Sequence, residues 1–537
     1  MQHKQKKRNT LKKNIILLFI FFIINYYKIS SYQEEEYNYY DETFFADSTF
    51  SIDDLHNKLE QALSNKNLKN YGIAIYSLHK NHYYFSKNIE SPLTPASLTK
   101  LVTTYNTIKL LGKDYNYSTE IYYDGKIFSD TLQGNLIIKG AGDPLFTVSD
   151  IEVLVDKVKK YGINYINGDI VADGRVFDNI KHRIDYSGDV DVVEPTPPIT
   201  GLSIDNNTVT VLVTAGAGTN EKPRVQVFPK SPYFNIINDC KIISPRTKRN
   251  LNVRSNRNKN RSENLKFLNY YGDQLSNQNI SKDPIITTSN KSTNYQNIYV
   301  RGTITKNTTK SFQYHINNPN LAFAGVVYEL LKSAKITING NYREVEPNEL
   351  ILYPNLIYVG DLKRSIWDVI NLVNKNSNNY LAENLYKLYY NQIQKNSNYK
   401  FNQIKDSISK NLFIRCENCK INDGSGLSRR NLVTPSMLIN LLINAYNSEF
   451  KDYFINSLSI AGVDGTLRNR MKNQFTFNNV YAKTGTLRNV SGLAGYLNSL
   501  DGEKLAFVFI FNGNDVGYYK SLENKLCEIL CSINFRK

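Results

Sequence analysis

The chain has 537 residues, with 66 Lys and Arg against 49 Asp and Glu, and a formal net charge of +17. Hydrophobic residues make up 41% and charged residues 21% of it, which excludes a wholly disordered or collagen-like chain, and the length predicts two or three domains. The net charge leaves a nucleic-acid or anionic-surface partner open until its position along the chain is known.

Most of the positive charge lies in two short segments. Residues 1–13 carry six basic residues and no acidic one, and residues 246–266 carry eight basic residues against Glu263. The rest of the chain therefore has a net charge of only +4. Since this remainder has no recognisable basic face with interleaved aromatic residues, the charge indicates no nucleic-acid partner.

The first predicted element is a leader. The basic block is followed by ten apolar residues, 15–24, and the chain turns acidic over 34–42. A short apolar run after a basic segment is typical of an export signal, because a spanning helix needs about 20 apolar residues. No good cleavage site follows. We expect 1–33 to be a signal peptide or an N-terminal membrane anchor, and the protein to be exported to the periplasm or anchored on the outer side of the cytoplasmic membrane.

A strand–turn–strand pattern and a helix come next. Residues 71–88 alternate as two strands around a turn, and the apolar residues from Leu98 to Ile108 repeat at helical spacing before Gly112. Short β-type runs separated by Gly, Asp and Pro then fill 116–345, for example at 135–138, 170–172, 208–213 and 297–300. This stretch includes a basic, Asn- and Ser-rich loop at 245–266, which we expect to be mobile.

Helices return in the last part of the chain, at 366–373 and 381–388. The end of the chain predicts three strands and a helix, at 480–487, 492–497, 504–511 and 517–531. We therefore predict an α+β fold in which segments 40–115 and 346–537 form one domain. The region 116–345 is predicted to be a large β-rich insertion with two subdomains.

The cysteines give a weak signal. Their number is odd, and the pair Cys416 and Cys419 alone does not define a metal or redox site. We expect buried thiols or one local disulfide, with no metal and no cofactor, among Cys240, Cys416, Cys419, Cys527 and Cys531.

A serine and a lysine at the start of the first predicted helix are the main candidates for a nucleophile and its base. None of the six histidines lies after residue 315, so a Ser-His-Asp hydrolase is hard to build and a serine nucleophile needs another base. Ser97 and Lys100 are three residues apart, which places both on one helix face. A lysine can accept the serine proton if burial or nearby cations favour its neutral form. The free N–H groups of the helix start can stabilise an oxyanion.

Two later motifs strengthen this interpretation. Ser377 and Asn379 lie between the two predicted helices and can relay a proton and hold a substrate backbone. On a predicted strand, Lys483 and Thr484 offer a cation and a hydroxyl to a terminal carboxylate, and Gly485 leaves room for an extended substrate at the strand edge. The order Ser-x-x-Lys, Ser-x-Asn, Lys-Thr-Gly resembles the motif set of the penicillin-recognising serine enzymes.

Further runs narrow the resemblance, at 423–429, 462–467 and 140–144. Over about residues 45–530 the chain resembles the D-alanyl-D-alanine carboxypeptidase/endopeptidase family, the low-molecular-mass penicillin-binding proteins with inserted domains. The 280 residues from the first motif to the second, against 106 from the second to the third, agree with such an insertion. The resemblance implies a β-lactamase/transpeptidase-like domain, an antiparallel sheet flanked by helices.

The resemblance also implies the reaction and the site. Ser97 would attack a D-Ala-D-Ala or D-Ala–diaminopimelate bond of a peptidoglycan stem peptide, with Lys100 as general base, and β-lactams would be trapped as covalent inhibitors. Ser377 and Asn379 would complete the proton network, and the backbone N–H groups of Ser97 and Thr486 would form the oxyanion hole. Lys483 and Thr484 would bind the terminal carboxylate, and Gly485 would leave room for the substrate.

Two further residue assignments and two alternative functions remain. Arg429 would help to bind the substrate, and Asp173 of the inserted region would meet its amino group; a surface salt bridge and a turn aspartate are the other interpretations. The first alternative function is a β-lactamase or esterase on the same scaffold, which differs in how fast the acyl-enzyme is hydrolysed. The second is a non-catalytic protein that binds cell wall or nucleic acid. The sequence leaves carboxypeptidase against endopeptidase activity open.

Overall fold

The structure is a computed structural model of the chain. It describes residues 52–64, 68–189, 196–245, 285–289, 294–346, 348–395, 413–414 and 416–535. The predicted leader 1–33 and, from residue 246 on, the basic segment 245–266 lie outside the described residues. Among the helices that the structure does describe, none combines the length and the apolar character needed to cross a membrane.

The described helices begin at side-chain caps or prolines in several cases, such as Thr147 before α3 and Thr434 before α8. Gly112 ends α2 with φ of 86°, as the sequence predicts. The α-helices are α1 (Ile52–Ala62), α2 (Thr99–Leu111), α3 (Val148–Lys160), α4 (Arg183–Ser187), α5 (Pro319–Ser333), α6 (Ile366–Lys375), α7 (Asn379–Lys395), α8 (Pro435–Tyr446), α9 (Lys451–Asn456) and α10 (Val516–Ser532).

The strands lie close to the predicted runs at both ends of the chain and in the region between them. In chain order they are β1 (Asn70–Ser77), β2 (His82–Lys87), β3 (Asn116–Tyr123), β4 (Lys126–Phe128), β5 (Thr131–Gln133), β6 (Leu136–Lys139), β7 (Tyr165–Ile166), β8 (Ile170–Asp173), β9 (Thr208–Thr214), β10 (Arg224–Phe228), β11 (Phe234–Asn238), β12 (Lys241–Ile243), β13 (Ile285–Ser289), β14 (Gln296–Arg301), β15 (Thr303–Thr305), β16 (Thr309–His315), β17 (Thr337–Ile338), β18 (Tyr342–Glu344), β19 (Ile357–Ser365), β20 (Ser459–Ile460), β21 (Val480–Leu487), β22 (Val490–Asn498) and β23 (Lys504–Asn512).

One six-stranded antiparallel sheet joins the two ends of the chain, in the order β2-β1-β23-β22-β21-β20. Its central strands β22 and β23 are buried along nearly their whole length because both faces of the sheet are covered. On β23, Phe507 and Phe509 face a core shared with α1 and α10, while Val508 and Ile510 face a core shared with α2, α7 and α8. This antiparallel sheet between two helical layers confirms the predicted α+β class.

The region between β2 and α6 contains the remaining sheets. A five-stranded sheet, β18-β8-β6-β3-β19, and a four-stranded sheet, β17-β7-β5-β4, are joined by three smaller ones formed by β9 to β16. Buried residues of these sheets and of α3 and α5 form one large core, and Ile137, Val171 and Val345 form a small separate cluster. The predicted β-rich character is therefore present, and the division into two subdomains stays a prediction.

The inserted sheet extends beyond residue 345, where the sequence placed its limit. Strand β19 pairs antiparallel with β3, from Tyr123 opposite Ile357 to Asn116 opposite Ser365. This pairing places the strand that leaves α2 beside the strand that enters α6, so the chain crosses into and out of this region at neighbouring points. The sheet pairing thus ends at Ser365, and the division of the chain into domains stays a prediction.

The cysteines adopt both of the forms expected for them. Cys416 and Cys419 form a local disulfide. Cys240, Cys527 and Cys531 are buried free thiols.

Candidate active site

The predicted nucleophile lies in a strained turn at the start of α2. Ser97 is the middle residue of a 3-10 turn, Ala96–Leu98, and its side chain is half-buried. Ala96 has φ of 49°, a left-handed conformation that is unfavourable for a residue with a Cβ. Lys100 follows one turn later, fully buried, with its Nζ 3.0 Å from Ser97 Oγ.

Lys100 has two further acceptors besides the serine. Its Nζ donates to Asn379 Oδ1 at 2.7 Å and to the carbonyl oxygen of Ser425 at 2.5 Å. Neither of these oxygens can donate a hydrogen bond. When the amine is neutral, its two N–H groups can point at these acceptors, which leaves the lone pair for the Ser97 hydroxyl. The geometry is that of a general base directed at the serine.

The Ser377 motif faces the strand that carries Lys483. Ser377 lies between α6 and α7 with φ of 55°, and its Oγ accepts a hydrogen bond from Lys483 Nζ at 2.9 Å. Lys483 also donates to the carbonyl of Thr484 and is fully buried. Burial, and then the positive charge that Lys100 carries when it is protonated, lower the pKa of Lys483 well below its usual value. The 2.9 Å contact places Lys483 where it can exchange a proton with Ser377.

The outer edge of β21 is open beside Ser97. Strand β20 pairs only with Tyr481 and Ala482, so among the described residues no strand continues along β21 beyond them. A Cβ on Gly485 would lie 2.7 Å from the carbonyl oxygen of Pro95. The sequence interpretation gave Gly485 the task of admitting substrate, and the structure adds that it lets β21 approach the turn of Ser97. Thr486, one residue further, is exposed.

A threonine that the sequence analysis did not assign holds the Thr484 hydroxyl. Thr484 Oγ1 donates to Thr466 Oγ1 at 2.8 Å, and Thr466 Oγ1 is 3.1 Å from Ser459 Oγ. Ser459 in turn donates to the carbonyl of Lys375 at the end of α6, two residues before Ser377. Thr466 belongs to the run 462–467, so this run was the sequence feature that could have indicated the link between the second and third motifs.

The loop 423–431 packs against the nucleophile. Gly426 has φ of 86°, and a Cβ there would lie 2.0 Å from the carbonyl oxygen of Ala96. Asp423, fully buried, accepts from the backbone N–H groups of Gly426 at 2.9 Å and Ser428 at 2.7 Å. The Asp423 carboxylate therefore fixes the conformation of this loop. The loop packs against the turn of Ser97, and its Ser425 carbonyl accepts a hydrogen bond from Lys100.

Asp173 and Arg429 lie apart from these contacts. Asp173 is buried at the end of β8, where Arg175 binds both of its carboxylate oxygens and the Tyr353 hydroxyl donates to it at 2.6 Å. Burial opposes the charged form, but the hydrogen bonds from Arg175 and Tyr353 hold the pKa of Asp173 below its usual value. Arg429 is exposed at the surface of its loop. The structure brings neither into hydrogen-bond contact with the cluster around Ser97.

The antiparallel sheet has helices on both faces, and a Ser–Lys pair faces a Ser-x-Asn turn and a Lys-Thr-Gly strand. This combination of fold and motifs defines a penicillin-recognising serine enzyme. The chain matches the D-Ala-D-Ala carboxypeptidase 3 (S13) family over residues 55–264 and 270–531, and it belongs to that family. The predicted family and the predicted enzyme class, a D-Ala-D-Ala carboxypeptidase and thus a hydrolase, are confirmed.

Individual proteins agree with this assignment. D-alanyl-D-alanine carboxypeptidase DacB of Haemophilus influenzae is 26% identical over 489 residues, which cover 88% of this chain and 90% of DacB. The D-alanyl-D-alanine carboxypeptidase of Actinomadura sp. (strain R39) is 23% identical over 466 residues, covering 82% and 78% of the two chains. The crystal structure of penicillin binding protein 4 (dacB) from Haemophilus influenzae has the same fold, with a TM-score of 0.64 at 23% identity over 89% of this chain and 99% of that one.

Proposed function

We propose that the protein cleaves peptide bonds that follow D-alanine in peptidoglycan stem peptides, through an acyl-enzyme on Ser97. The observation that carries the proposal is the buried Lys100 amine, which lies 3.0 Å from Ser97 Oγ and has two acceptor-only partners for its N–H groups. The substrates are the D-Ala-D-Ala terminus and the D-Ala–diaminopimelate cross-link. Penicillin acylates the same serine.

The acylation step uses the groups gathered around Ser97. Lys100 takes the hydroxyl proton as Ser97 Oγ attacks the carbonyl carbon after D-alanine. The backbone N–H groups of Ser97 and Thr486 stabilise the oxyanion, in sites where one donor is worth about 10²–10³ in rate. When the C–N bond breaks, the proton that Lys100 took from Ser97 passes to the leaving amine through Ser377, whose Oγ is 2.9 Å from Lys483 Nζ, so Lys100 is neutral again.

Deacylation returns the enzyme to its starting state. Lys100 removes a proton from a water molecule that attacks the ester carbonyl, and the proton passes to Ser97 Oγ as the ester bond breaks. The substrate's terminal carboxylate is held by Thr484 and by Lys483 in its charged form, and Arg429 contributes from the loop. A β-lactam forms the same ester, but its ring nitrogen stays attached and the ester persists.

The location follows from the substrate and from the sequence of the first 33 residues. Peptidoglycan lies outside the cytoplasmic membrane, so an enzyme that cuts it has to be exported, and the basic and apolar leader fits that requirement. We propose a periplasmic protein, or one anchored on the outer side of the membrane through this leader. Penicillin binding protein 4 from Haemophilus influenzae, which has the same fold, was crystallised with a β-lactam.

Mass spectrometry after incubation with a labelled β-lactam tests the proposed nucleophile. We expect one adduct per chain, located on the proteolytic peptide that contains Ser97, and persistent during the labelling. An adduct on another residue, or none, would overturn the proposal, and prompt release of hydrolysed β-lactam would favour the β-lactamase alternative. With isolated muropeptides, release of D-alanine reports carboxypeptidase activity and conversion of cross-linked dimers to monomers reports endopeptidase activity.

A glycine-to-alanine pair tests whether the loop 423–431 places the nucleophile. In Gly426→Ala the new Cβ collides with the carbonyl of Ala96 and displaces the turn of Ser97. Because a small displacement of a nucleophile slows its attack by this order, we expect the second-order rate constant of acylation to fall by about 10²-fold. Gly502→Ala is the matched control, because Gly502 has φ of 84° but no atom within 4 Å of its would-be Cβ. Equal acylation rates in the two variants would contradict this role of the loop.

A further inference from the structure

A buried carboxylate on α7 binds the backbone N–H of Ser425, the residue whose carbonyl accepts from Lys100. Glu383 is fully buried, one turn after Asn379 on the same helix. Its Oε1 accepts from the backbone N–H of Ser425 at 2.8 Å, and its Oε2 accepts from the N–H of Gly424 at 3.1 Å. The residue whose carbonyl accepts from Lys100 is therefore fixed by Glu383 through its own N–H group.

The inserted part of the chain supports the same carboxylate. The Tyr186 hydroxyl, on α4, donates to Glu383 Oε2 at 2.7 Å. Arg183, one turn earlier, donates to Asp423 Oδ2 at 3.0 Å, and Asp423 shapes the loop from its other side. Two side chains of α4 thus bind the two carboxylates that hold the loop 423–431.

We propose that Glu383 is a positioning residue whose charged carboxylate fixes the Ser425 carbonyl and so directs the lone pair of Lys100 at Ser97. The proposal rests on the proposed function, in which Lys100 is the base. A displaced Ser425 carbonyl leaves an N–H group of Lys100 without its acceptor, and the amine is then free to rotate away from the serine. Charge on Glu383 matters because both of its oxygens must accept N–H donors at once.

The surroundings of Glu383 make this charge sensitive to pH. The titratable groups around it are Asp423 of the loop, Arg183 and Tyr186 of α4, Tyr386 and Lys387 of α7 and, across Ser425, Lys100 of α2. Burial, and then the Asp423 carboxylate, raise the pKa of Glu383 to about 7, while the hydrogen bonds from Ser425 and Tyr186 oppose the rise. Burial also raises the pKa of Tyr186 well above its usual value, so this hydroxyl stays a donor. Because the pKa of Glu383 is raised to about 7 in the folded protein, Glu383 becomes protonated as the pH falls through about 7. The protonated side chain no longer holds both loop N–H groups as a carboxylate does.

Glu383→Gln tests the role of the charge. The amide nitrogen of glutamine opposes one of the two backbone N–H donors, so we expect the acylation rate by a labelled β-lactam to fall by about 10²-fold at pH 8, with the adduct still on Ser97. Glu523→Gln is the matched control, because Glu523 is equally buried and binds Ser491 Oγ and Arg470 from α10, on the opposite face of the sheet from α2. The control variant is expected to acylate at the wild-type rate.

Tyr186→Phe provides a readout that a purely structural role would not move. It removes a hydrogen bond to the charged form of Glu383, so the acid limb of the pH–acylation profile should shift upward by about one pH unit. Wild-type acylation in Glu383→Gln, or an unmoved limb in Tyr186→Phe, overturns the inference. If Glu383→Gln does not fold, the limb in Tyr186→Phe decides. A wild-type protein without an adduct on Ser97 would instead overturn the proposed function, so the two failures are distinct.

Discussion

Replacement of Ser97 by alanine is expected to abolish covalent labelling by β-lactams and to lower kcat/KM for a D-Ala-D-Ala substrate by about 10⁴-fold or more. Alanine has no atom that can attack the carbonyl, while Lys100 keeps its contacts with Asn379 and Ser425. Intact-protein mass spectrometry measures the adduct, and release of D-alanine measures the turnover. Because the side chain is half-buried and small, the variant should fold with a melting temperature close to that of the wild type.

Ser86→Ala is the matched control for this experiment. Ser86 is exposed on β2, at the opposite edge of the sheet from β20 and β21. The control should label fully and turn over substrate at the wild-type rate. A Ser97→Ala protein that still forms an ester adduct would show that another hydroxyl attacks, and the assignment of the nucleophile would be wrong.

The sequence predicts those parts of the fold in which local pattern and burial agree. Strands β21 to β23 were predicted within a few residues, because both faces of the sheet are covered and most residues of β22 and β23 are apolar. Strand β19 was missed, since its residues 357–365 are half-exposed and mixed in polarity. Its pairing with β3 joins segments more than 200 residues apart, which no local pattern encodes.

The motif residues could be predicted because each has a reactive side chain at a characteristic spacing. The carbonyl of Ser425 could not, since every residue has a carbonyl and only the fold selects the one that meets Lys100. Glu383 left a trace that could have been noticed: an acid within a mostly apolar helical segment, between Leu381 and Leu385 in the sequence. Its partners on α4 and in the loop 423–431 come from distant parts of the chain, so its role emerged only from the structure.

Lys100→Arg separates the two ways in which a buried cation can serve the serine. A guanidinium remains protonated at any pH the protein tolerates, so arginine can stabilise negative charge but cannot accept the Ser97 proton. If Lys100 acts as the base, acylation should fall by about 10³-fold, within the range that general bases contribute. Stopped-flow or quenched-flow labelling with a β-lactam measures this rate. An arginine variant that keeps a rate within tenfold of the wild type would show that charge alone is sufficient.

The larger guanidinium has a steric cost that needs its own control. Lys387→Arg makes the same change at another fully buried lysine, which pairs with Asp178 and donates to the carbonyl of Ile180 at 3.0 Å. We expect Lys387→Arg to lower the melting temperature but to acylate as the wild type does. A loss of acylation confined to Lys100→Arg then assigns proton transfer to Lys100, because both variants bury the same extra volume and only one removes a base.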